Sequence, residues 1–197
     1  MIFFRKNRVI KRIVVQLNKA RVCAEKRSSG LTFVEVMVVV AIALLLMIIA
    51  TPYMAGMLRN AELSTQAHEF LSTLNYARSE AIKRHQRVTV CKSVDGEECT
   101  TQGGWEQGWI VFVDADNTAQ VQNREDILRV RGPLREGTSL SGNQPVRNYV
   151  SYVGNGSTQY VSGAFQAGTL TLCSHQQGVQ FILARAGRVR TQSTTCE

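Results

Sequence analysis

The chain has 197 residues, 44% of them hydrophobic, and a formal net charge of +8, enough for one globular domain and an apolar segment besides. Residues 1–30 hold nine Lys/Arg against one acid, Glu25, while the remaining 167 residues hold 14 basic and 14 acidic side chains. Global charge is therefore excluded as a binding device beyond residue 30, and any basic site there must be local.

The basic leader (residues 1–30) contains Cys23 and ends at Gly30. From Leu31 to Thr51 follows an apolar run with one ionisable group, Glu35. As a helix it spans a hydrocarbon core of about 30 Å, and the basic residues before it keep the N-terminus cytoplasmic. A secretory signal carries its small-residue cleavage site after the apolar run. Here the small residue, Gly30, precedes it, so cleavage there removes the leader and leaves the helix in place. Glu35 costs roughly 2.5 kcal/mol or more inside an apolar span and needs a partner. After a cut at Gly30, that partner is a free α-amino group of a neighbouring subunit; otherwise Glu35 is an interfacial carboxyl that snorkels or is protonated.

The segment Ser29-Gly30-Leu31-Thr32-Phe33-Val34-Glu35, with Pro52 further along, resembles the prepilin cleavage motif of type IV pilins and pseudopilins. The resemblance implies cleavage after Gly30 and N-methylation at Leu31 by prepilin peptidase, then packing of the helices into a filament core through Glu35. Leu31 stands where Phe is usual. The leader is far longer than is typical of this class, and the excess fits a start codon placed upstream of the true one.

After Pro52 the apolar spacing stays helical through Leu63, Ala67, Phe70, Leu71, Leu74, Ala77, Ala81 and Ile82, with Arg78, Glu80, Lys83 and Arg84 toward water. Pro52 kinks this helix rather than ending it. From Arg87 the period shifts to two, and strands are predicted at Val88–Cys91, Trp109–Val113, Ile127–Val130, Tyr149–Val153, Thr169–Cys173, Val179–Leu183 and Arg188–Arg190. The expected fold is α+β: a long N-terminal helix packed on an antiparallel β-rich domain. Three segments follow: leader 1–30, membrane part of the helix 31–57, and an exported domain 58–197. Cys91, Cys99, Cys173 and Cys196 suit two disulfides in an oxidising compartment. Of three possible pairings, we expect Cys91–Cys99, closing a short turn around Asp95-Gly96, and Cys173–Cys196, tying the chain's end to an apolar strand.

Three stretches carry a further resemblance: Asn75–Ile82 followed by Val88–Cys91, the run Trp105–Asp114, and the terminal Gly187-Arg188-Val189-Arg190. Together they resemble the GspH/FimT family, which comprises minor pilins of type IV pili and a minor pseudopilin of type II secretion. This implies an inner-membrane, single-pass protein with its domain in the periplasm, which joins other pilins and the assembly platform in an extracellular filament. No cofactor or metal is implied.

Catalysis finds little support: there are three histidines, His68, His85 and His175, and no GxSxG, HExxH or phosphate-loop pattern. Asp114, Asp116, Asn117 and Glu125 loosely follow a calcium loop, but Ala119 occupies the position that needs Gly; a turn after a strand accounts for them. Trp109 begins an apolar strand and reads as core, whereas Trp105, after Gly103-Gly104, is expected to be more exposed.

The stretch Arg185-Ala186-Gly187-Arg188-Val189-Arg190 is locally basic, with no acid between Glu136 and Glu197. If it is extended, Arg188 and Arg190 share one face and Val189 takes the other, and Gly187 permits a tight turn. Arg forks suit phosphate oxygens without reading sequence; a solvated strand edge or pairing with acids of an adjacent pilin are the alternatives. Within the resembled family, this element is similar to that of FimT-type minor pilins, which bind DNA during natural transformation. That implies Arg188 and Arg190 as contacts to double-stranded DNA, with Arg185 added here for its proximity. A structural pilus-priming subunit and a type II secretion pseudopilin remain as alternatives.

Overall fold

The computed structural model describes residues 32–196, with backbone alone for 49–55; the leader, Gly30 and Leu31 lie outside the described residues. Among the described residues one α-helix, α1 (Phe33–Arg84), precedes eight strands: β1 (Val88–Lys92), β2 (Trp109–Val113), β3 (Ile127–Arg131), β4 (Thr138–Gly142), β5 (Tyr149–Tyr152), β6 (Gly168–Ser174), β7 (Gln177–Leu183) and β8 (Val189–Thr195). The chain divides into two compact units, Met1–Thr51 and Pro52–Glu197.

In the first unit Thr32 opens α1. Its Oγ1 accepts the Glu35 N–H at 3.3 Å and its carbonyl accepts the Val36 N–H at 3.2 Å, which satisfies donors that a helix start leaves orphaned. The side chains of 32–48 are exposed. Among the described residues no helix is long and apolar enough to cross a membrane; the span expected at 31–51 runs past these side chains at both ends. Pro52 does not end α1.

In the second unit Leu63, Ala67, Phe70, Leu74, Ala77 and Ala81 recur at alternating spacings of four and three, and all are buried. That spacing makes one stripe along α1. The helix stops where His85 takes a positive φ of 53°, after Lys83 and Arg84 have placed positive charge at its C-terminal end.

The strands form two antiparallel four-stranded sheets, ordered β3-β2-β1-β5 and β4-β6-β7-β8. This is the α+β arrangement expected, with one strand more: β4 was not anticipated, since Leu140 alone of its five residues is buried. The last strand also runs beyond Arg190 to Thr195.

Phe70 joins the helix to both sheets. Its ring meets Trp109 of β2 at 5.0 Å, Phe181 of β7 at 5.1 Å and Trp105 at 5.7 Å, all edge-to-face, the geometry aromatic quadrupoles prefer. Trp105, expected near the surface, is fully buried, because its indole N–H donates to the Val146 carbonyl at 3.2 Å. On the other face of the first sheet, Cys91, Ile110 and Phe112 form a second small core. Strand β1 is therefore buried at every residue.

Cys91 is bonded to Cys99, with Cα atoms 5.6 Å apart, and Cys173 to Cys196, with Cα atoms 6.0 Å apart. Lys92 is buried beside the first bridge, and its Nζ donates to the Gly103 carbonyl at 2.7 Å and the Thr101 carbonyl at 3.2 Å. Burial pushes this ammonium below its ordinary range.

Candidate functional site

The arginine-rich stretch forms the β7–β8 hairpin. Leu183 pairs with Val189, the Ala184 N–H donates to the Arg188 carbonyl at 2.9 Å, and the Gly187 N–H donates to the Ala184 carbonyl at 2.8 Å. Gly187 is buried at φ 74°. A Cβ there would lie 2.0 Å from the Gly156 carbonyl oxygen, so no side chain fits.

The turn is held from beneath. Arg78, expected to face water, instead donates from Nε to the Gly156 carbonyl at 3.0 Å and from Nη2 to the Ala186 carbonyl at 3.1 Å. The Thr158 N–H donates to the Arg185 carbonyl at 3.3 Å, and its hydroxyl donates to the Gln166 carbonyl at 2.6 Å. Tyr152 lies against Gly187, with its hydroxyl buried and its pKa pushed up by burial. Glu80 also leaves the water-facing set: it is buried and accepts from Arg84 Nε at 2.7 Å.

This backing leaves the arginines outward. Val189 packs against the core, while Arg188 and Arg190 are exposed on the opposite face. Arg185, also exposed, sets its guanidinium 4.9 Å over the Phe165 ring, which is 58% exposed. An open cleft of about 570 Å³ lies beside them, lined in part by Asn155, Ser157 and Gln159. Arg185, Arg188 and Arg190 enter no ion pair among the described residues. Arg185, Gly187, Arg188 and Arg190 are thus brought to one hairpin. Phe165 and Arg78 belong with them and were missed, since their partners are distant in sequence.

The remaining candidates stand apart. Asp114 is buried and accepts from the Thr89 hydroxyl at 2.9 Å and the Thr118 N–H at 2.9 Å, so its carboxylate anchors a turn. Among the described residues no group of three or more His, Cys, Asp or Glu could hold a metal. His68 is exposed on α1, His85 at its end, and His175 in the β6–β7 turn at φ 56°. Glu35 is exposed near the start of α1.

Residues 66–187 match the family model described as type II transport protein GspH, and residues 26–51 match the prokaryotic N-terminal methylation motif. No curated protein matches the chain. Among solved structures it is similar to the type IV minor pilin FimU of Pseudomonas aeruginosa PAO1 in two crystal forms. One has 21% identity over 68% of this chain and 90% of that one, with a TM-score of 0.52; the other has 20% over 66% and 92%, with a TM-score of 0.50. It is also similar to the minor pseudopilin EpsH from the type II secretion system of Vibrio cholerae, at 16% identity over 67% and 97%, with a TM-score of 0.45. The likeness to FimU speaks for the fold alone. The GspH match takes in every strand except β8 and ends at Gly187, more than half of the sequence, and the chain belongs to the family of type II transport protein GspH.

Proposed function

We propose that this protein is a minor type IV pilin which captures extracellular double-stranded DNA through Arg188 and Arg190, assisted by Arg185. Prepilin peptidase cleaves it after Gly30 and methylates Leu31. Residues 31–51 anchor it in the inner membrane with the domain in the periplasm until it joins other pilins in the filament. The observation that carries the DNA reading is three exposed guanidiniums on one braced hairpin, in no ion pair among the described residues and in a stretch without Asp or Glu from 137 to 196. Guanidinium forks bind phosphate oxygens in any sequence, and a rigid turn spares the entropy of ordering them. Three contacts bind weakly, so several subunits must act together through effective concentration.

The test is duplex DNA binding by the processed chain in detergent, across a salt series, beside Arg188→Gln/Arg190→Gln. Three phosphate contacts give a log–log salt slope of about −3. The double variant should lose most of both the slope and the affinity. A folded wild-type chain that leaves DNA free at low salt would sink this reading. The family match then favours a second one, a structural pseudopilin of type II secretion. In either case Glu35 registers subunits by meeting a neighbour's α-amino group. Glu35→Ala is expected to be cleaved normally and to enter filaments poorly; normal incorporation would remove that role.

A further inference from the structure

Each four-stranded sheet has two edges, and three of the four are closed by identifiable means. Strand β3 carries Arg129 and Arg131 and shifts register against β2 between Val111 and Phe112, devices that discourage pairing with another chain. The outer side of β5 is taken by the following loop: the Gln159 N–H donates to the Ser151 carbonyl at 3.1 Å, and the Ser151 N–H donates to Gln166 Oε1 at 3.0 Å. Strand β4 is five residues long, and its Leu140 N–H is bound by Glu106 Oε2 at 3.1 Å.

Strand β8 is different. It is seven residues long, and beyond Arg190 it reads Thr-Gln-Ser-Thr-Thr, without charge or proline. At one end the Ala184 N–H binds the Arg188 carbonyl; at the other the Cys196 N–H binds the Gln176 carbonyl. Antiparallel alternation then directs the backbone groups of Arg190, Gln192 and Thr194 to β7 and those of Thr191 and Ser193 away from it. Thr191 and Ser193 are exposed, and the outward N–H and C=O of each have no partner among the described residues. Beside them runs a groove of about 610 Å³, lined in part by Leu63, Ala67 and Leu71 of α1, Val179 of β7, and Thr191 and Ser193, with polar residues such as Asn60 and His68 also on its wall.

We infer that β8 is a docking edge for an extended segment of another protein subunit, which adds to the second sheet as a fifth strand. Backbone bonds to Thr191 and Ser193 hold the segment, and the groove accepts its alternate apolar side chains. Its intervening residues lie on the face that carries Arg188 and Arg190, where cross-strand pairing selects Asp or Glu. Charge argues against a second copy as the occupant, because among the described residues no strand contains Asp or Glu and its own β8 would bring more arginine. The inference does not rest on the DNA reading, since phosphates do not satisfy strand-edge amides in register.

The test uses the full chain in detergent with two synthetic peptides, Thr-Val-Glu-Val-Glu-Val-Thr and its Lys-for-Glu counterpart. Amide hydrogen exchange at Thr191 and Ser193 should be fast in the free protein and slow with the acidic peptide. That peptide should bind about tenfold more tightly than the basic one, a preference that Arg190→Glu should reverse. Ser193→Pro removes an outward N–H and leaves the bonds to β7, so it should weaken binding about tenfold at an unchanged melting temperature. Should that variant fail to fold, the Arg190→Glu reversal decides the matter. The inference is overturned by no binding of either peptide, by equal binding of both, or by undiminished binding to folded Ser193→Pro. Protection of Thr191 and Ser193 that grows with protein concentration alone would make the occupant a second copy and overturn it too.

Discussion

Arg78 of α1 reaches the backbone carbonyl of Ala186, 108 residues further along the chain, with Nη2 at 3.1 Å, while its Nε holds the Gly156 carbonyl at 3.0 Å. One guanidinium thus ties the helix to two turns, and the second turn is the one that presents Arg185, Arg188 and Arg190. Arg78→Ala leaves both carbonyls short of a donor and should cost about 1–3 kcal/mol of stability in urea unfolding. Arg78→Lys cannot reproduce the fork and should recover one bond at most. A loss below the error of the melt would show that water replaces Arg78 without penalty.

Gly187 is constrained twice, by φ 74° and by the Gly156 carbonyl. Gly137 offers the control: φ is 80° and nothing lies within 4 Å of a built Cβ. Gly137→Ala should therefore cost about 1 kcal/mol, from backbone conformation alone. Gly187→Ala adds a collision with backbone and should cost about 3 kcal/mol or more. Equal losses in thermal unfolding would mean that the Gly156 loop yields.

The two disulfides close loops of different length, with sequence separations of 8 for Cys91–Cys99 and 23 for Cys173–Cys196. Chain entropy assigns them about 2.5 and about 3.4 kcal/mol respectively. Cys91 is buried in the small second core, whereas Cys173 and Cys196 are partly exposed. Limited reduction should open the Cys173–Cys196 bridge first. Mass spectrometry after thiol trapping would read the order, and first labelling at Cys91 would contradict it.

Asp114 and Glu80 give opposite pH dependences. Burial holds the Asp114 carboxyl above its ordinary 3.8, against hydrogen bonds from Thr89, Thr118 and Ala119. A raised folded-state pKa contributes stability that is full below 3.8 and lost as pH rises through the raised value. The hydrogen bond from Arg84, opposed by burial, holds Glu80 below its ordinary 4.5, so its contribution is present above 4.5 and lost as pH falls. In urea melts between pH 3 and 7, the stability of the wild type relative to Asp114→Asn should fall with rising pH. Relative to Glu80→Gln it should rise. Parallel trends would show that one direction is misassigned.

Local pattern was sufficient for much of the fold. The spacing of Leu63, Ala67, Phe70, Leu74, Ala77 and Ala81 is a property of consecutive residues, and it alone marks the buried stripe of α1. Runs such as Val88–Cys91 and Trp109–Val113 located strands for the same reason. Strand β4 escaped because Thr-Ser-Leu-Ser-Gly buries only Leu140, and its place depends on pairing with β6.

At the arginine hairpin, sequence alone determined that four residues, Arg185, Gly187, Arg188 and Arg190, lie together in a stretch empty of acids, and that strand alternation puts Arg188 and Arg190 on one face. Only the tertiary structure decided what braces them and what lies beside them. Arg78 appeared as one more charged residue on a helix, because its carbonyl partners enter 78 and 108 residues later. Trp105 appeared exposed after two glycines, because the carbonyl that accepts its indole N–H belongs to Val146. The open edge of β8 is likewise invisible in one dimension. A strand's own residues set its pleat, but whether its outward amides find a partner depends on every other segment of the chain.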